Sequence, residues 1–380
     1  MEHKIITDLA YTYIGLVTTM TKHYVDEGVP LLFNSSIRAE GIDFSNPIYL
    51  DNEFAEDNKN RKHRTGDVIT VHTGDIGTSA IIPDSLDGSL GFATIVTRIH
   101  DKNVLLPEYL CAYLNYGGGK EQLYKYARDI RNNLNLKDFN KLIVPVPDLY
   151  RQKEIVKNVN TLNKIVCQRK QELAFFDDLI KARFVELFVG KDYPLVALDD
   201  LSLGKGEYGA QSASTEYVPG RPRYVRITDI NDDGSLNDDV VSSANVEDDE
   251  QYKLGYGDFM FARMGATVGK TYAYKTGNQI FAGYLIRYRL NLEKIMPEYL
   301  YAYTRLDDYK NWVLLNQSGA AQPGINAKKY GSLQIPVAPL TEQKAFEDFV
   351  KQVDKSKVAV QKSLNETQKL FDSLMQEYFG

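Results

Sequence analysis

The segment Met264-Gly265-Ala266-Thr267-Val268-Gly269-Lys270-Thr271 comes nearest to a chemical motif in this 380-residue chain. A phosphate-binding loop needs Gly-x-x-x-x-Gly-Lys-Ser/Thr, so that backbone amides cradle the phosphates and the lysine reaches the outer ones. Here the first glycine is Gly265, one place late, and the matching segment of the first half, Thr73-Gly74-Asp75-Ile76-Gly77-Thr78, has no lysine. The segment is read as a tight glycine turn between strands. A nucleotide-binding enzyme built on Gly269, Lys270 and Thr271 is the weakest of three functional readings.

Other catalytic sets fare worse. A DNA methyltransferase would need an Asn/Asp-Pro-Pro-aromatic segment, and no Pro-Pro occurs. The acidic runs Asn231-Asp232-Asp233 and Glu247-Asp248-Asp249-Glu250 lie in loop-like sequence and read as solvated turns, not as a nuclease's metal-binding carboxylates. Cys111 and Cys167 are far apart, and His3, His23, His63, His72 and His100 form no His-x-x-x-His pair. Neither a disulfide framework nor a metal site is expected.

What remains are clusters of basic and amide side chains, the types that hold phosphates and hydrogen-bond base edges. The first half offers Lys59, Arg61, Lys62 and Arg64, then His72 and Thr73 at its glycine turn, then Arg128, Arg131 and Asn132. The second half offers Arg221, Arg223 and Arg226, then Arg263 and Lys270, then Gln317, Gln322, Lys328 and Lys329. Each cluster alone reads as solvated surface. Recurrence at comparable places in both halves favours a nucleic-acid contact.

That recurrence belongs to a larger pattern. Shifted by about 191 residues, the chain lines up with itself. Gly66-Asp67-Val68 meets Gly257-Asp258-Phe259, and Pro107-Glu108-Tyr109-Leu110 meets Pro297-Glu298-Tyr299-Leu300. Val144-Pro145-Val146 meets Ile335-Pro336-Val337, and Gln152-Lys153 meets Gln343-Lys344. Each half opens with mixed strands and short helices. Strands are predicted at Asp67–Val71, Thr94–Ile99, Arg223–Ile227, Phe259–Arg263 and Leu285–Leu290, and proline-led helices at Pro107–Leu114 and Pro297–Tyr303. The first half lacks a clear counterpart of Lys191–Leu195, which predicts a weak or differently supplied opening strand.

Each half closes on a long helix. Apolar residues at Ile155, Val159, Leu162, Val166, Leu173 and Ile180 recur at three- and four-residue gaps, as do Phe349, Val353, Val360, Leu364 and Phe371. Such a helix of roughly 38 residues would be about 57 Å long, too long to rest on one small domain. Pairing the two helices antiparallel is the economical arrangement. The expected class is α+β: two pseudo-symmetric globular domains of mixed strands and short helices, joined by two long antiparallel helices forming a coiled coil. The expected boundaries are 1–147 and 191–337 for the domains, and 148–190 and 338–380 for the helices.

Composition limits the partners. Hydrophobic residues make up 43%, as in ordinary globular proteins, and the formal net charge is −6. An acidic balance speaks against a non-specific DNA binder, which needs cations to displace counterions. It leaves open a reader with local basic patches, and equally a tandem scaffold that binds protein partners without touching DNA. No basic start with an apolar run marks a signal peptide, and no run of 18 apolar residues marks a membrane span, so a cytoplasmic protein is expected.

The duplicated Gly-Asp-hydrophobic…Gly…hydrophobic-Gly segment, followed by Pro-Glu-Tyr-Leu, a hydrophobic-Pro step, Gln-Lys and a long helix, resembles the specificity subunits of type I restriction–modification enzymes. The resemblance covers nearly the whole chain. It implies two target recognition domains, each reading one half of a bipartite, interrupted site in double-stranded DNA. It implies that the paired helices set the spacing and dock two modification subunits, with motor-nuclease subunits joining through the complex. S-adenosylmethionine, ATP and magnesium would then bind those partners, and this chain would carry neither a cofactor nor a catalytic centre.

Overall fold

A computed structural model describes residues 2–127, 134–246, 249–319 and 323–379. The chain divides into two compact units, Met1–Lys170 with Lys362–Gly380, and Gln171–Gln361. Each unit thus holds a mixed strand-and-helix head and one stretch of each long helix.

The two heads share a topology. In the first, an antiparallel sheet runs in the order Ala10–Ile14, Thr94–Ile99, Val68–Val71, Ser79–Ile81. In the second, the order is Glu207–Tyr208, Leu285–Arg289, Asp258–Ala262, Thr271–Ala273. The central strands Val68–Val71 and Asp258–Ala262 are buried at every position, so they read as near-continuous apolar runs instead of alternating ones. Beside each sheet lies a parallel pair, Val29–Phe33 with Leu90–Phe92 and Arg223–Val225 with Gln279–Phe281. The heads differ around that pair. The first extends it with Ile48–Leu50 and Tyr24–Val25, whereas the second adds a separate ribbon of Ser214–Glu216 and Ser242–Ala244.

The duplicated residues recur as duplicated contacts. Gly66 and Gly257 take φ of +87° and +94°, where a side chain would be strained. The following aspartates close the same turn: Arg64 N donates to Asp67 Oδ2 at 2.8 Å, and Gly255 N donates to Asp258 Oδ2 at 2.9 Å. In the Pro-Glu-Tyr-Leu helices, Pro107–Tyr116 and Pro297–Tyr303, the buried tyrosines Tyr109 and Tyr299 donate to Pro145 O and Pro336 O. Asn135 and Asn326 each cap a short helix by accepting a backbone N–H three residues on.

The expectation for the opening strand is overturned. Glu2–Ile5 pairs antiparallel with Ile143–Val146, His3 opposite Pro145, just as Leu195–Ala197 pairs with Gln334–Pro336, Leu195 opposite Pro336. Its polar residues Glu2, His3 and Lys4 sit on an edge that is largely exposed, which is why apolar patterning hid it. The predicted strand at Arg223–Ile227 is also shorter, ending at Val225, because Arg226 turns the chain into a 3-10 turn at Ile227–Asp229.

Both long helices have 40 residues, Leu149–Phe188 and Leu340–Phe379. They pack together antiparallel within each unit. In the first, Ile155, Val159 and Leu162 share a core with Phe371, Met375, Tyr378 and Phe379, and Asn158 donates to the Tyr378 hydroxyl at 2.8 Å. In the second, Phe184 and Phe188 meet Phe346 at ring distances of 5.4 and 5.7 Å, while Ile180 and Phe349 flank them. Val353, Val360 and Leu364 are buried, whereas Val166 and Leu173 are half-buried. Each fully buried large apolar side chain contributes about 1.5–3 kcal/mol to such a seam. Among the described residues no helix is long and apolar enough to cross a membrane.

Candidate nucleic-acid interface

The glycine turns carry the segment that comes nearest to a chemical motif. Met264–Lys270 joins two antiparallel strands, and Gly265 and Gly269 take φ of +72° and +87°. A Cβ on Gly269 would lie 2.7 Å from Val313, so this glycine lets the helix Asp307–Asn316 approach the turn. Lys270 does not face a phosphate cradle: its ammonium pairs with Asp232 at 2.7 Å and donates to Ile230 O. A strand follows, Thr271–Ala273, where a phosphate loop would open a helix.

In the first head, Lys59 and Arg61 lie on a 3-10 turn after the helix Asn52–Asp57, whose N-terminus Asp51 caps. The Arg61 guanidinium donates to Ile14 O and Gly15 O at 2.9 and 2.6 Å, fastening this turn to the sheet. Lys59 and Lys62 both pair with Glu56 and hold its carboxyl below the usual range. Arg64 is exposed, Thr73 is exposed, and His72 is buried with its carbonyl accepting from Leu134 N. Thr73 shares a cleft of about 530 Å³ with Asn34, Arg38, Asn115 and Lys120. Arg128, Arg131 and Asn132 lie outside the described residues.

In the second head, Arg221 is exposed and donates to Asn245 Oδ1 at 3.1 Å. Arg223 pairs with Asp238 and donates to Asn237 O. Arg226 grips the buried Asp229 through Nε and Nη2, while its own backbone N–H donates to the same carboxylate. Arg263, at the end of a sheet strand, stacks over Tyr208 at 4.9 Å. Gln317 ends the helix Asp307–Asn316, Lys329 donates to Asn316 O, and Lys328 is exposed. Gln322 lies outside the described residues.

Thus Arg61, Arg223, Arg226, Lys270 and Lys329 are committed within the chain, while Arg64, Thr73, Arg221 and Lys328 face outward. Two features escaped sequence reading. Arg98 makes a two-pronged pair with buried Asp67 at 2.9 and 2.7 Å and lies over Tyr13, and Arg287 is likewise buried between Glu207 and Asp258. An arginine inside an apolar strand was the available signal. The second is a cleft of about 490 Å³ where Gln211, Ser212, Thr228 and exposed Tyr284 gather around Arg226. Among the described residues no group of His, Cys, Asp or Glu is arranged to hold a metal. Burial pushes the Cys111 thiol up to about 12, which keeps it protonated and inert.

The family model described as "Type I restriction modification DNA specificity domain" matches twice, at residues 32–174 and 191–368, once per repeat. The chain belongs to the type I restriction–modification DNA specificity family. Relatives of this specificity subunit include the Escherichia coli "Type I restriction enzyme EcoBI specificity subunit", 25% identical over 44% of this chain and 36% of that protein. The "Putative type I restriction enzyme MjaX specificity subunit" of Methanocaldococcus jannaschii is 22% identical over 90% of this chain and 83% of its own length. Among solved structures, the S subunit of the M. genitalium type I system aligns with a TM-score of 0.61 at 12% identity, covering 100% of this chain and 96% of that one. A chain from a study of "complex assembly and conformational transition of the type I R-M system" aligns at 0.57 and 19% identity, covering 100% and 97%. At such identities the structural likeness establishes the shared two-headed fold.

Proposed function

We propose that the specificity subunit reads a bipartite, interrupted site in double-stranded DNA, one half-site per head, and carries no catalytic centre itself. The observation behind this is that the two heads repeat the same four-stranded sheet and parallel pair yet differ in the strands and polar side chains around that pair. Equal scaffolds with unequal surfaces suit two different half-sites. Arg64 and Thr73 in the first head, and Arg221 and Lys328 in the second, are the outward residues assigned to phosphates and base edges, with exposed Lys59 and half-buried Arg263 beside them.

The paired helices serve as spacer and as the docking surface for two modification subunits, through which motor-nuclease subunits join. S-adenosylmethionine, ATP and magnesium bind those partners. The acidic net charge of −6 fits this division, since partners then supply much of the phosphate contact. The same charge favours one rival, a scaffold that binds only proteins. Salt-dependent DNA retention with and without modification subunits separates the two: no DNA retention in either state would leave the scaffold. Methylation mapping in cells carrying the whole system tests the two-half-site reading, and a continuous, uninterrupted methylated sequence would overturn it.

A further inference from the structure

Gln152 and Gln343 occupy the same position in the two repeats, the fourth residue of each long helix. Both are fully buried. Gln152 accepts from Leu106 N at 2.9 Å and donates through its amide nitrogen to Val104 O and Pro147 O, both at 2.8 Å. Gln343 accepts from Met296 N at 2.9 Å and donates to Lys294 O at 3.1 Å and Ala338 O at 2.8 Å. One amide therefore ties three strands of chain at a point: the turn before the Pro-Glu-Tyr-Leu helix, the start of that helix, and the approach to the long helix. Only a neutral amide supplies two donors and an acceptor at this reach; a glutamate lacks the donors and a lysine lacks the acceptor.

The rest of the joint is chiefly apolar, joined in the second unit by single side-chain contacts from Tyr193 to Glu342, Tyr256 to Glu347 and Lys275 to Asp354. Ile155 in one unit and Phe346 in the other are buried against the head. Such contacts are strong but non-directional, so they hold the helix on the head without fixing its rotation or tilt. Hydrogen bonds from one buried side chain to three backbone groups do fix them. The lever matters, because a helix of 40 residues is about 60 Å long. A tilt of about 5° at its start moves its far end by about 5 Å, more than the ~3.4 Å rise of one base pair.

We infer that Gln152 and Gln343 are positioning residues that fix each head to its long helix and so make the subunit reject sites whose spacer is one base pair too long or short. This rests on the two-half-site reading above. The test uses the full chain assembled with its modification subunits and a DNA library in which both half-sites are kept and the spacer varies by single base pairs. Gln343→Met fills the volume without the hydrogen bonds. Its preference for the native spacer over its neighbours is expected to fall by about ten-fold while the preferred bases stay the same.

Tyr330→Phe is the control, since it removes a buried hydrogen bond, to Ala262 O, inside the same head and away from the helix start. It is expected to lower stability and leave spacer choice unchanged. Equal relaxation by both variants, or unchanged spacer choice in an assembled Gln343→Met complex, overturns the inference. Should Gln343→Met not assemble, Gln343→Asn, which keeps an amide too short to reach all three groups, is read in the same way. Loss of assembly by both also overturns it, because the amide is then needed for folding alone. A wild-type complex that methylates without regard to sequence contradicts the two-half-site reading instead.

Discussion

The ring of Phe379 lies 5.7 Å from that of Tyr109, and the equivalent ring of Phe188 lies 4.9 Å from that of Tyr299. Each long helix thus begins beneath the head of its own repeat and ends in the core of the other repeat's head. Gly117 makes room for this, since a Cβ there would fall 2.7 Å from the Phe379 ring. Phe188→Ala and Phe379→Ala are each expected to cost about 3–5 kcal/mol, as for large aromatic truncations in well-packed cores. Denaturant titration measures this, and a loss below about 1 kcal/mol would show that the helix ends are not part of the cores.

The arginines of the second head separate into two kinds. Arg226→Ala strands the buried Asp229 carboxylate and is expected to destabilise that head by about 3 kcal/mol. Arg263→Ala removes a half-buried guanidinium stacked on Tyr208 and is expected to relax one half-site by about 1–3 kcal/mol, leaving the other intact. Thermal melts together with methylation mapping distinguish the two. Equal weakening of both half-sites by Arg263→Ala would contradict independent heads.

Gly265 and Gly269 sit in one turn but answer to different constraints. Gly265→Ala meets only the backbone preference, about 1–2 kcal/mol, because its surroundings are open. Gly269→Ala adds a clash with Val313 and is expected to cost about 1–3 kcal/mol more. Equal melting temperatures for the two variants would show that the Asp307–Asn316 helix can simply move away.

Stability should fall in mild acid because of His63. Burial lowers its pKa from 6.5 to about 4, with Nδ1 bound to Ser89 Oγ at 2.9 Å. The unfolded chain takes up a proton near pH 6.5 and the folded chain does not, so the stability that is fully present above 6.5 declines as pH drops towards 4. The loss is on the order of 3 kcal/mol across that window. Urea titrations at pH 7.5 and 5 measure it, and His63→Gln should flatten this part of the profile. An identical slope in the variant would assign the effect to other groups.

The sequence carried the duplication, the long helices and the proline-led helices because these signals are local and periodic. Seam positions such as Ile155 and Phe371 repeat at helical spacing and fall in the core as expected. The opening strand was hidden because Glu2, His3 and Lys4 give no apolar alternation, and only its register with Ile143–Val146 defines it. Basic residues were harder still. Whether an arginine faces outward depends on partners distant in sequence, as with Arg61 against Ile14 and Gly15, or Arg98 against Asp67. Even Arg226, whose partner is three residues away, became legible only when Asp229 proved to be buried.

The crossing of the helix ends has a kinetic corollary. The first head leaves the ribosome long before Phe371, Met375, Tyr378 and Phe379, which complete its core. Until those residues are synthesised, its apolar floor around Tyr109 and Tyr113 stands open, and contacts so remote in sequence close slowly. The second head finds its Phe184 and Phe188 already made. The half that is translated first is therefore the half that matures last, and it is the one that a chaperone would have to shelter.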